Sequence, residues 1–177
     1  MSPTTRCLFA VLALALVTFV AAGCQAPSAS APSRSGSPPS GAAPGGAAPD
    51  FSLVSFDGEA YSLADLKGRP IVLNFWSSRC PHCATVVPYL QDFYTEHGEQ
   101  GLVVLGIAGM DSEAALRDKA SSLGVTYPIA ISPDTARAYN VSPIPMTYFI
   151  DREGNTAASI LGAQPRRQFE DAVQKIL

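Results

Sequence analysis

Cys80-Pro81-His82-Cys83 is the stretch of this sequence whose residue types and spacing can do chemistry. Two thiols set two residues apart can close a small disulfide ring and be reopened by an external thiolate. The same pair could supply half of a zinc site, but structural zinc takes four ligands. The chain has four cysteines and two histidines. Cys7 lies in an apolar leader, Cys24 lies at the leader's end, and His82 and His97 are the two imidazoles. No second Cys-x-x-Cys exists, so no metal is expected and the motif reads as redox-active. Exchange requires a thiolate, and an ordinary thiol is mostly protonated near neutral pH. The motif follows an apolar run and opens a helical pattern. A helix N-terminus offers unpaired N–H groups and a partial positive charge to a sulfur placed there. Pro81 suits the first helical turn, where its missing N–H loses nothing. Cys80 is therefore expected to be the exposed nucleophile and Cys83 the shielded resolving thiol. His82 lies between them, and a donor beside Cys80 would favour the reduced form and make the disulfide more oxidising. The plainer reading of His82 is a solvated loop residue. The Cys80–Cys83 disulfide is itself the redox group, and no further cofactor is expected.

The elements that must hold this motif are legible around it. Pro70 to Trp76 is nearly all apolar and fits a central strand buried on both faces. Pro81 to about His97 carries Val86, Val87, Leu90, Phe93 and Tyr94 at helical spacing. Before these, Phe51 to Val54 and Ala60 to Leu63 flank an Asp57-Gly58 turn, a hairpin signal. After them come a buried strand over Leu102 to Ala108 and a helix capped by Asp111 or Ser112 and ended by Gly124. A short strand at Ile129 to Ile131 and a short helix from Asp134 to Tyr139 follow. Met146 to Asp151 and Thr156 to Leu161 flank a Glu153-Gly154-Asn155 turn. Arg166 to Leu177 closes the chain as a helix with Phe169, Val173 and Ile176 inward. Strands that alternate with helices and end in a hairpin and helix imply a three-layer α/β sandwich with a mixed sheet.

The 177 residues suffice for one such domain. The net charge is −3 and no basic block occurs, which argues against a nucleic-acid partner. Residues 1–23 read as a leader: Arg6 precedes a run from Leu8 to Val20 that is too short to span a membrane well. Small residues running into Cys24 resemble a bacterial lipobox. That resemblance implies cleavage before Cys24, acylation of its thiol and anchoring to a lipid membrane. An ordinary signal peptide with Cys24 left free is the competing reading. Residues 24–49 contain Ala, Pro, Ser and Gly with almost nothing to bury, which is the composition of a disordered tether. The working domain is expected at 50–177.

Several linked positions from Ala48 onward resemble the thioredoxin superfamily, and within it the exported TlpA/ResA/DsbE-like branch. They are Ala48-Pro49-Asp50-Phe51, the run Leu66-Lys67-Gly68-Arg69-Pro70 leading to Trp76, the two cysteines, Pro88, and Val141-Ser142-Pro143-Ile144-Pro145 leading into Met146. The resemblance implies a thioredoxin fold: a mixed central sheet flanked by helices, an N-terminal β-hairpin and a β–α insertion between Cys83 and Pro145. It implies that Pro145 is cis and packs by the sulfurs, and that Trp76 and Ile144 contact substrate. It also implies a monomeric thiol–disulfide oxidoreductase outside the cytoplasm. Its partners would be exported protein thiols and disulfides, with electrons from a membrane thiol carrier. A reductase, as in cytochrome c maturation, is the leading expectation. A DsbA-like oxidant stands behind it, because the Pro-His dipeptide is typical of that branch. Asn74 and Val86 occupy places where relatives carry a proton-accepting acid. Two other classes fit less well. Sco-type copper carriers use Cys-x-x-x-Cys and a distant histidine. Peroxiredoxins need Thr and Pro where Ser77 and Leu73 stand.

Overall fold

A computed structural model describes residues 43–177 of the protein. The leader, Cys24 and the tether as far as residue 42 lie outside the described residues. No helix among the described residues is long and apolar enough to cross a membrane.

The domain opens with a two-stranded hairpin, β1 (Ser52–Val54) and β2 (Ala60–Ser62), joined through the Asp57-Gly58 turn. β3 (Ile71–Phe75) follows and is buried along its whole length. Then come α1 (Cys83–His97), β4 (Val103–Ala108), α2 (Glu113–Ser122), β5 (Ile129–Ile131) and α3 (Pro133–Ala138). β6 (Met146–Ile150), β7 (Thr156–Leu161) and α4 (Arg166–Gln174) complete the chain. The main sheet has five strands in the order β5-β4-β3-β6-β7. β3, β4 and β5 run parallel, while β6 is antiparallel to β3 and β7 to β6. This is the mixed sheet that the sequence implies, with β3 at its centre.

Alternation along the strands sends residues to two cores. Val72, Trp76, Val104 and Phe149 pack with Val86, Val87, Leu90 and Phe93 of α1, Leu116 of α2, and Phe169 and Val173 of α4. Ile71, Leu73, Phe75, Leu105, Ile107, Tyr148 and Ile150 pack on the other face with Phe51, Leu53, Leu66 and Tyr139. So α1 and α4 cover one face, and the hairpin with the end of α3 covers the other.

Two boundaries differ from the sequence reading. The domain does not start at Asp50. Gly45 N–H donates to the Thr156 carbonyl at 2.7 Å, and Thr156 N–H donates to the Gly46 carbonyl at 2.8 Å. Ala47 bridges Asn155, Ala48 is buried, and the Tyr139 hydroxyl donates to the Pro49 carbonyl at 2.9 Å. These small residues join through main-chain groups, which composition does not register. The helix, in turn, starts at Cys83 rather than Pro81. The turn before it is wound by i+3 bonds, from Cys83 N–H to the Cys80 carbonyl and from Ala84 N–H to the Pro81 carbonyl. Such tighter turns are common at helix N-termini.

Candidate active site

β3 delivers Trp76 to the end of the sheet, and Ser77-Ser78-Arg79 carry the chain from there to Cys80. Cys80 and Cys83 are joined as a disulfide with Cα atoms 5.3 Å apart. Their surroundings are unequal. Cys83 is 0 % exposed, in the core with Val86 and Val87, while Cys80 is half-buried at the surface. The Cys83 N–H points at Cys80 Sγ from 3.2 Å. This N–H, shared with the Cys80 carbonyl, faces the outer sulfur at the head of α1, and there it would stabilise a thiolate. His82 is exposed and forms no side-chain cap on α1.

The β3–β6 register pairs Phe75 with Met146, so the next residues outward, Trp76 and Pro145, stand across from each other. The Ile144–Pro145 bond is cis, and so is Ser142–Pro143, which the sequence reading did not single out. Pro145 is buried, and its carbonyl accepts the Gly162 N–H at 2.8 Å. Ile144 is 37 % exposed beside it. Trp76 lies deeper than its neighbour Ile144, yet it reaches the lining of a groove at this end of the sheet. It is 2 % exposed and belongs to the core, because its indole lies on β4 next to Gly106.

Exposed apolar side chains gather at this end of the sheet. Met110, just past β4, is 84 % exposed, and Leu161, at the end of β7, is 50 % exposed. With Ile144 they make three of the four large hydrophobic residues that are exposed among the described residues. The groove at this end measures about 530 Å³ and is lined by Phe75, Trp76, Ser77, Met110, Val141 and Ile144 among others.

Beneath the motif the polar groups are few. Asn74 is fully buried and donates to Thr147 Oγ1 at 2.9 Å, while its Oδ1 has no protein partner among the described residues. Val86 is fully buried as well. Among the described residues no three His, Cys, Asp or Glu side chains gather as a metal site.

One residue close to the motif escaped the sequence reading. Asp111 was read there as a possible helix cap, but Ser112 caps α2 by accepting the Ala115 N–H at 3.1 Å. Asp111 instead accepts bonds from Ser77 and Ser78 in the loop that leads to Cys80. Partial burial works to raise its pKa. The Ser78 N–H, the Ser77 hydroxyl, the Ser112 N–H and the Ser78 hydroxyl outweigh it and hold the carboxyl below its ordinary value. The signal that could have found it is topological: parallel neighbours β3 and β4 end side by side, so the loops after them meet.

A half-exposed sulfur bonded to a buried one at the head of a helix, on this sheet, defines a thiol–disulfide oxidoreductase with a thioredoxin-like fold. The chain belongs to the AhpC/TSA family, whose model matches residues 44–159. It is similar to the thiol-disulfide oxidoreductase ResA of Bacillus cereus, at 31 % identity over 129 residues, 72 % of this chain and 75 % of that one. ResA of Geobacillus kaustophilus is also 31 % identical, over 72 % of this chain and 74 % of its own. Among solved structures, a thiol:disulfide interchange protein of the thioredoxin family from Chlorobium tepidum superposes with a TM-score of 0.68. It shares 28 % identity and covers 74 % of this chain and 95 % of that one. The protein is an enzyme of the ResA/DsbE-like thiol–disulfide oxidoreductase type.

Proposed function

We propose that the Cys80-Pro81-His82-Cys83 centre exchanges disulfides with exported proteins outside the cytoplasm and works as a reductase, for example on the disulfide of an apocytochrome c. The observation that carries this reading is the inequality of the two sulfurs: one is reachable and faced by an N–H, the other sealed. In the reduced enzyme the Cys80 thiolate attacks one sulfur of a substrate disulfide. The Cys80–substrate bond forms, the substrate disulfide breaks, and one substrate thiolate leaves and takes up a proton. Cys83, once deprotonated, attacks Cys80 Sγ, closes the Cys80–Cys83 disulfide and releases the second substrate thiolate. Two electrons have passed to the substrate, and a membrane thiol carrier restores them. Ile144 and its cis neighbour Pro145 border the place where the substrate chain lies. The exposed apolar side chains of Met110, Ile144 and Leu161 suit a polypeptide better than a small thiol.

The apolar leader and Cys24 support an extracytoplasmic lipoprotein, held to the membrane by acyl chains and acting as a monomer. The reducing direction rests on the sequence resemblance to the exported TlpA/ResA/DsbE-like branch. The Pro-His dipeptide favours the second reading, an oxidant, because a donor beside Cys80 stabilises the reduced form. Titration against glutathione separates the two: a potential below about −230 mV identifies a reductant, and one above about −150 mV an oxidant. His82 is tested in the same titration. His82→Ala is expected to lower the potential by about 30 mV, a tenfold change in equilibrium constant for two electrons. An unchanged potential makes His82 a bystander. Copper carriage and peroxide reduction gain nothing from the site, whose cysteine spacing and whose Ser77 and Leu73 fit neither.

A further inference from the structure

Ser77-Ser78-Arg79 form no regular element, yet Cys80 has to be held still relative to Cys83. The Cys80 N–H donates to the Ser77 carbonyl at 3.1 Å, so the turn that carries the nucleophile is built on Ser77. Ser77 is in turn fixed from outside. Asp111 Oδ2 accepts the Ser77 hydroxyl at 2.9 Å and the Ser78 N–H at 2.8 Å. Asp111 Oδ1 accepts the Ser78 hydroxyl at 3.0 Å and the Ser112 N–H at 2.8 Å. Three of these four donors belong to the loop before Cys80. Helix capping does not account for them, since Ser112 already caps α2. Hydrogen bonds to an ionised carboxylate are the stronger kind, and two oxygens gripping two consecutive residues fix orientation as well as distance.

We propose that Asp111 is a positioning residue for the thiol chemistry: it latches the loop that carries Cys80 and thereby sets how readily the Cys80–Cys83 disulfide is reduced. The proposal rests on the reading of that pair as the redox centre, and on nothing about its direction. The latch acts in two ways that have the same sign. It keeps Cys80 close to Cys83, which raises the effective concentration of one thiol at the other and favours the closed disulfide. Its negative charge beside the loop also disfavours a Cys80 thiolate, and hence the reduced form.

The test is the equilibrium of the full chain with glutathione, in which the protein disulfide and two glutathione thiols give the protein dithiol and one glutathione disulfide. The oxidised fraction is read after alkylation of free thiols. Asp111→Ala is expected to raise the equilibrium constant for reduction about 3- to 10-fold. Asp111→Asn keeps the shape and one acceptor and is expected to give a smaller rise. Ser77→Ala with Ser78→Ala keeps the charge but removes two donors, and is expected to shift in the same direction. Arg166→Ala serves as the comparison. Arg166 joins α4 to α1 through Asp92 and lies outside the redox loop, so its loss lowers the melting temperature and leaves the equilibrium unchanged. If Asp111→Ala also melts early but matches the parent with glutathione, the latch is only structural and the proposal is wrong. Should Asp111→Ala fail to fold, the serine pair decides, and an unchanged equilibrium in it overturns the proposal. The readout concerns the cysteine pair alone, so a failure to act on exported proteins would sink the proposed function and leave this result standing.

Discussion

Cys80→Ser abolishes disulfide exchange, whereas Cys83→Ala leaves attack intact and stalls the enzyme as a mixed disulfide with its substrate. The difference follows from where the two sulfurs lie. Cys80 is the sulfur that solvent reaches, and without it no thiolate meets the substrate. Cys83 is sealed in the core with its Cα 5.3 Å from that of Cys80, so its attack on a mixed disulfide is intramolecular. An oriented intramolecular step competes with millimolar external thiol at a large advantage, and its loss is expected to slow release of substrate by at least about 100-fold. Alanine is the cleaner replacement at position 83, since a serine hydroxyl would be buried there among apolar side chains at a cost of about 1–3 kcal/mol. Mass spectrometry of Cys83→Ala after mixing with an oxidised protein substrate should show the covalent adduct, and Cys80→Ser should show none. In the reduced parent, iodoacetamide at mildly acidic pH should label Cys80 well before Cys83. Normal turnover by Cys83→Ala would mean that the assigned order of attack is wrong.

The framework of this domain could be read from the chain because its signals are local. β3 has four apolar residues in five, α1 has its large side chains at helical spacing, and both hairpins carry Gly turns. The cysteine pair was legible for the same reason: residue type and spacing define the motif without knowledge of the fold. The depth of Trp76 was not legible, because sequence shows an aromatic next to a reactive motif and does not show which face of the strand it takes. Its even-numbered neighbours Val72 and Asn74 are fully buried beneath α1, and Trp76 goes with them. The hold of Asp111 on the cysteine loop was not legible because its partners there are more than thirty residues away in sequence. Here the chemistry was local and therefore visible. What positions it is made between strands, and that became visible only once β3 and β4 were known to lie side by side.

Gly106 is where that between-strand packing can be tested most sharply. It lies in β4 opposite Asn74 of β3 on one side and Ile129 of β5 on the other. Nothing in the sequence marks it as more than a gap in an apolar run. A Cβ placed there would stand 2.7 Å from Ile129 Cγ2 and 3.0 Å from both Trp76 Nε1 and Tyr127 Cε2. None of these can retreat freely. Ile129 is β-branched and held in a strand, and Trp76 and Tyr127 are buried in the core. Gly106→Ala is therefore expected to destabilise the domain by about 1–3 kcal/mol, a typical cost of overpacking, with Gly106→Val worse. That corresponds to a melting point lower by roughly 4 °C for each kcal/mol in a domain of this size. Gly98→Ala is the matched comparison: its backbone is helical and nothing lies within 4 Å of the added carbon, so it should be neutral or slightly stabilising. The effect of Gly106→Ala should also reach the chemistry, because the displaced indole belongs to the residue that starts the loop to Cys80. Loss of exchange rate in the still-folded variant, together with the lowered melting point, would tie the packing at the sheet's centre to the position of the nucleophile. A Gly106→Ala protein that melts with the parent would show that the indole, Tyr127 and Ile129 do not close over this glycine as described.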